Sequence, residues 1–132
     1  MIETGHGMID LDTMLAILNA VPGDLTFVGP DDTILYFNEP RHRLFTRTKA
    51  ILGTSVQSCH PAKSVPAVDK VIADLRSGVK DLVEAWVDLD GRLVNVRYLA
   101  LRDERGGYLG CLEIAQDMTH VRDHCQPRPA GS

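Results

Sequence analysis

Cys59 and His60 stand side by side in this chain of 132 residues, and that pair offers its sharpest chemistry. Thiolate and neutral imidazole both suit zinc, iron or haem iron. Two neighbours in a loop do not complete a coordination sphere, so a metal or haem site here needs His42, Cys111 or Glu113 brought beside them by the fold. No CxxC or other ligand spacing is matched. The competing reading is a structural turn, with His60 bonded to backbone and Cys59 packed as a small apolar group.

Glu113 sits in the run Cys111-Leu112-Glu113-Ile114-Ala115. Facing inward with Cys111 and Ala115, it is a buried carboxylate that needs a partner, Arg97 or Arg41, or a raised pKa. With Leu112 and Ile114 buried instead, it is solvated, and a one-residue change of face decides between the two. Asn38, Arg41 and His42 follow a strand-like run and are candidates for the mouth of a cavity. Alternatively Asn38 caps the next turn and Arg41 is solvated. A Gly-rich phosphate loop, an HExxH pair and a nucleophile elbow are all absent from the sequence, so no catalytic activity is expected.

Periodicity supplies the elements that must hold these residues. Leu11, Met14, Leu15, Leu18 and Val21 mark one stripe of a helix near 10–20, capped by Asp10 or Asp12 and stopped by Pro22-Gly23. Strands at 25–28 and 33–38 flank the turn at Gly29-Pro30-Asp31-Asp32. From Glu39 to Pro61 no period persists, which predicts short helical turns and loops. A second helix over 65–77 carries Val65, Val68, Val71, Ile72 and Leu75, with Ser64 as its cap and Gly78 as its stop. Alternation then takes over in strands 81–88, 93–102 and 108–116, the first two joined by Asp90-Gly91. This order predicts an α+β fold, with a five-stranded antiparallel sheet, helices gathered on one face and a flanking N-terminal helix.

A net charge of -4 with dispersed Lys and Arg leaves no basic face for nucleic acid. No stretch approaches the ~20 apolar residues of a membrane span, and Met1–Asp10 lacks the pattern of a secretory signal. Three cysteines, an odd number without a framework spacing, are best suited to a reducing, cytoplasmic location.

The ordered strings "LTFVGPDDTILYFNEP" and "GYLGCLEIAQDMTHVR", the second closing on Asp117-Met118-Thr119, resemble the PAS domain superfamily over roughly Asp24 to Arg122. The middle run "RHRLFTRTKAILGTSVQSCHPAKS" is similar to PAS domains attached to hemerythrin-like cation-binding domains. The resemblance implies a PAS-like fold, with a flanking helix over 1–23 and a PAS domain over 24–122, while Pro127, Pro129 and Gly131-Ser132 predict a disordered tail over 123–132. It also implies a sensory signalling function, in which a small molecule or cofactor sits in a cup between sheet and short helices. The signal would leave through the chain ends, with Asp117 and Thr119 coupling the sheet to a partner protein. The alternative is a ligand-free module for homodimerisation and protein contacts. In flavin-binding members the reactive Cys is followed by Arg-Phe-Leu-Gln; here His60-Pro61-Ala62-Lys63 follow Cys59, so flavin is not expected. Haem-binding members take their ligand from the longer helix, which has no His here, leaving His60 as the candidate for haem or iron.

Because the irregular segment 39–61 can cover one sheet face only imperfectly, it should leave a concave, mostly apolar space. Phe27, Tyr36, Phe45, Cys59, His60, Val68, Ile72, Tyr98 and Cys111 are expected to bound it. The stripe of Leu11, Met14, Leu15 and Leu18 is expected to form a homodimer or to cover the open sheet face.

Overall fold

The structure, a computed structural model, describes residues 1–131. The chain opens with a short antiparallel hairpin, β1 (Ile2–Glu3) and β2 (Met8–Ile9), which sequence analysis did not anticipate. Two-residue strands are too short to show alternation. Helix α1 (Leu11–Ala20) follows, its first turn capped by the Asp10 carboxylate, which accepts from the Thr13 amide at 2.7 Å.

Strands β3 (Asp24–Val28) and β4 (Ile34–Phe37) form the next hairpin. Three 3-10 turns, Lys49–Ile51, Val56–Cys59 and Ala62–Ser64, lead into helix α2 (Val65–Ser77). Ser64 makes no capping bond, contrary to expectation, because it already has helical angles at the end of the preceding turn. Pro66 fits the first turn of α2, where its missing amide costs nothing. Gly78, at φ 83, closes α2 in the left-handed conformation. Strands β5 (Leu82–Leu89), β6 (Arg92–Arg102) and β7 (Tyr108–Asp117) complete the sheet. Asp90 and Gly91 both have positive φ, as the tight β5–β6 turn requires. A short helix α3 (Thr119–His124) takes in Asp123 and His124, which the sequence reading had assigned to a disordered tail.

The five main strands lie in the order β4-β3-β7-β6-β5, every neighbouring pair antiparallel. This is the expected α+β architecture, with α2 and the 3-10 turns against one face. Val28, Ile34, Val56, Ile72, Leu75 and Cys111 form the main core cluster under α2. A second cluster of Val94, Val96 and Ala115 is covered by Leu44 and Phe45. Gly110, at φ 141, is required where β7 meets β3: a Cβ there would collide with the Val28 carbonyl and the Phe27 ring. No helix among the described residues is long and apolar enough to cross a membrane.

Two buried polar side chains join the irregular parts to this frame. Asn38, 1% exposed, donates to the carbonyls of Leu18 and Gly23 at 2.9 and 3.1 Å and accepts from the Leu25 amide at 2.8 Å. It therefore ties the end of α1 to the β3–β4 hairpin, rather than capping the following turn. Asp24 receives the amides of Leu44 at 3.0 Å and Phe45 at 2.9 Å, with Arg43 at 3.5 Å. Truncating Asn38 orphans three backbone groups at once, two of them in buried bonds. Asn38→Ala should lower unfolding free energy by about 2–4 kcal/mol, measured by urea denaturation with an unchanged m-value.

Candidate functional site

Strand register decides which side chains share a face. Cys111, Glu113 and Ala115 of β7 lie opposite Ala100, Tyr98 and Val96 of β6, and opposite Val28, Thr26 and Asp24 of β3. On β5, Val83 and Ala85 pair with Tyr98 and Val96, extending the same face to the sheet edge. Helix α2 lies over this face but leaves a gap above β5 and β6.

The gap is a cup of about 510 Å³, lined by Val28, Val56, His60, Ser64, Ala67, Val68, Val71, Ile72, Val83, Ala85, Val87, Tyr98, Cys111 and Glu113. Its size and apolar walls are those of an ordinary small-molecule pocket. Five of the residues expected to bound such a space are brought together there, His60, Val68, Ile72, Tyr98 and Cys111, and Glu113 joins them. Glu113 thus faces the cup, which settles the choice of face.

Its charge partner is neither Arg97 nor Arg41. Arg97 lies on the opposite face, paired with Glu84 at 3.0 Å. Arg47 reaches Glu113 instead, at 3.5 Å, from the irregular segment. Sequence offered no signal for this contact, which spans 66 positions through a region without period. Burial raises the Glu113 pKa, while Arg47 and His60 pull it back down. The His60 ring donates through Nδ1 to the Val56 carbonyl at 2.9 Å, which sets its orientation at the rim. Burial, with Glu113 close by, pushes both the Tyr98 hydroxyl and the Cys111 thiol up to about 12.

Other expected residues lie elsewhere. Phe27 pairs with Leu112 and with Tyr36, so both aromatic rings belong to the opposite sheet face. They stand one residue out of step with Val28 and Thr26, and a single step along a strand reverses the face. Phe45 packs over Val94, Val96 and Ala115 beside the cup, not in its wall. Cys59 is exposed, its Sγ 4.0 Å from the Thr54 hydroxyl, while its neighbour His60 turns to the cup. Among the described residues no group of three or more His, Cys, Asp and Glu side chains is placed to hold a metal ion. The lining residues missed by sequence reading are Val28, Val56, Ser64, Ala67, Val71, Val83, Ala85 and Val87, although the alternation of β5 contained the signal for the last three.

Arg41 and His42 line a different cleft of about 980 Å³, between the end of α1 and α3. Asp117, Thr119, His120 and His124 border it as well. His120 and His124, four residues apart in the sequence and one turn apart on α3, have ring centroids at 4.7 Å. The Thr119 hydroxyl accepts from the Leu93 amide at 2.9 Å, and Asp117 accepts from the Thr119 amide at 2.9 Å. Asp117 also faces Arg92 at 3.7 Å. These bonds fasten the start of α3 to the start of β6. On α1, Leu11 and Leu15 are exposed, whereas Met14 and Leu18 are half-buried.

Comparison with known proteins places this geometry. A family model described as "PAS domain" matches residues 14–119. The C-terminal domain of a Streptococcus mutans protein is 35% identical, over 92% of this chain and 94% of that one, with a TM-score of 0.86. The PAS domain of Bordetella pertussis BvgS is similar at 16% identity over 86% and 89% of the two chains, TM-score 0.61. A sensory box sensor histidine kinase from Vibrio cholerae is similar at 13% identity over 80% and 89%, TM-score 0.57. At such identities the last two show a shared fold alone. Comparison with curated proteins gives no match.

Two measurements follow from the site. Exposed Cys59 and Cys125 should react rapidly with an aromatic disulfide reagent, while Cys111, buried and held as thiol, should react only on unfolding. Because the Glu113 pKa is raised in the fold, the folded state keeps a proton that the unfolded chain releases. Stability contributed by this group is present below the ordinary glutamate value and falls as pH rises toward the raised one. Glu113→Gln should therefore gain stability relative to wild type as pH rises through that window, measured as the difference in Tm between pH 4 and pH 7.

Proposed function

Since the chain belongs to the PAS domain family, we propose that it is a sensory signalling module that holds a small molecule in the cup and relays occupancy through its two ends. The observation that carries the reading is a mostly apolar cavity with one largely buried carboxylate, Glu113, on the central strand of the sheet. Evacuating so much apolar wall without using it for a ligand leaves van der Waals contacts unmade.

The route to the chain ends is short. Glu113 and Asp117 lie on the same strand, and Tyr98 lies on β6, whose first residues are fastened by Thr119 to α3. A ligand that shifts β6 against β7 therefore acts on the seat of α3. The arrangement serves signalling without catalysis. The S. mutans relative is the C-terminal domain of its protein; by analogy, a partner module joined before α1 completes this one. The hemerythrin-like type is the first to test, given the similarity of residues 41–64 to domains so attached. A haem or iron atom at His60 is a narrower form of the proposal. His60 is the rim residue that would offer a ligand nitrogen, and Cys59 is turned away from that role.

A homodimer through α1 belongs to the same reading, supported by the exposed Leu11 and Leu15 with Ile17 at 51% exposure. The flanking helix thereby connects two cups to one output.

Native mass spectrometry of protein purified without added ligand tests both parts. The expected result is a dimer carrying a non-covalent small molecule or metal. Ala85→Trp, which fills the cup from the edge strand, should lose the added mass and keep the dimer. Leu15→Asp should give monomers that keep it. An empty monomer at every concentration overturns the proposal.

A further inference from the structure

The inner sheet face carries two acidic side chains in very different states. Asp24 is enclosed, with two backbone amides and Arg43 supplying its hydrogen bonds. Glu113 has as its partner among the described residues only Arg47, at 3.5 Å, a distance beyond the normal range of a strong charge-assisted bond. Glu113 borders the cup, so its carboxyl has acceptor capacity turned toward a space that is otherwise Val, Ala and Ile. A buried acceptor of that kind gains most from a donor brought in by an occupant.

Charge narrows the choice of occupant. Arg47 already balances Glu113, so a cationic ligand would place a second positive charge beside the guanidinium. An anionic ligand would meet the carboxylate. Both lose solvation in an apolar cup without recovering it. The remaining polar groups at the wall, Ser64, the Tyr98 hydroxyl and the His60 ring, are neutral or rim-placed and can serve one more hydrogen bond, not a full charge.

Resting on the cup reading above, we propose that the occupant is an uncharged, mostly apolar small molecule presenting one N–H or O–H donor to Glu113. Arg47 acts as the positioning residue that holds the carboxyl in place. The volume of about 510 Å³ accommodates a compact one- or two-ring body and excludes chains much longer than the cup.

Matched probes test this directly: indole against N-methylindole, and phenol against anisole, each pair differing by a methyl on the donor. Tryptamine and indole-3-acetate add a positive or a negative charge to the indole body. Titrations of the full chain are followed through the methyl signals of Ala67 and Ala85, which report occupancy of the cup itself. Indole and phenol should bind at least about tenfold more tightly than their methylated partners, and indole more tightly than either charged derivative. Glu113→Leu should bring the members of each pair to equal affinity, while Glu113→Gln, which keeps an acceptor oxygen, should preserve the preference. Equal binding of the methylated probes to wild type, or tighter binding of a charged one, overturns the ligand class and leaves the cup reading standing. If no probe shifts the two alanine methyls, the cup reading itself falls.

Discussion

The Asp24 carboxylate is the contact on which the rest of the site depends. It is 3% exposed, at the first position of β3, and it is satisfied by amides 20 and 21 residues further along the chain. A buried carboxylate must find donors or bear a large desolvation cost. Meeting that need folds residues 43–45 down onto the sheet, where Leu44 and Phe45 cover Val94, Val96 and Ala115. Arg47 then lies within reach of Glu113. Without the Asp24 clamp the segment after β4 has no periodic apolar face to dock with. Glu113 would lose the one cation paired with it among the described residues.

The frame was readable because each of its elements carries its own local signal. The α2 stripe of Val68, Val71, Ile72 and Leu75, the Asp90-Gly91 turn and the alternation along β6 need no distant information. The site was readable only in part, because it depends on relations between elements. The face of Phe27 follows from its pairing with Leu112, and nothing within Asp24–Val28 announces that pairing. All five residues there are apolar, small or singly polar, and four of them are buried, so the strand has no solvated face to reveal its phase. Arg47 was missed for a related reason: one of several cations in an aperiodic run, it is distinguished by the Asp24 clamp rather than by its neighbours. Asn38, read as a candidate for the cavity mouth or for a cap, has an architectural role instead, since its one amide serves backbone groups of α1, of the turn after it and of β3.

The sheet joins the interior to the chain ends with little intervening material. β7 pairs on one side with β3, whose first residue clamps the loop, and on the other with β6, whose first residues seat α3. Asn38 in turn fastens the end of α1 to β3 and β4. Both helices at the ends are therefore held by a few polar contacts, Asn38 and Asn19 for α1 and Thr119 with the Met118 amide for α3, and neither contributes a fully buried residue. Attachment of that kind is specific in geometry but small in free energy, which suits elements that must move without unfolding the domain.

The outer wall of the cup is built from an edge strand. Val83, Ala85 and Val87 of β5 pair with β6 alone, and the fully buried core, Leu75, Val94 and Ala115, lies on other elements. Exchanging one small residue for another at Ala85 or Val87 alters the shape of the cavity without touching either core cluster, whereas Val83 packs against the main one. Selection can thus explore new chemical tastes here at almost no risk to foldability. Divergence among descendants of this chain should accumulate on β5 first, well before it reaches the strand that carries Glu113.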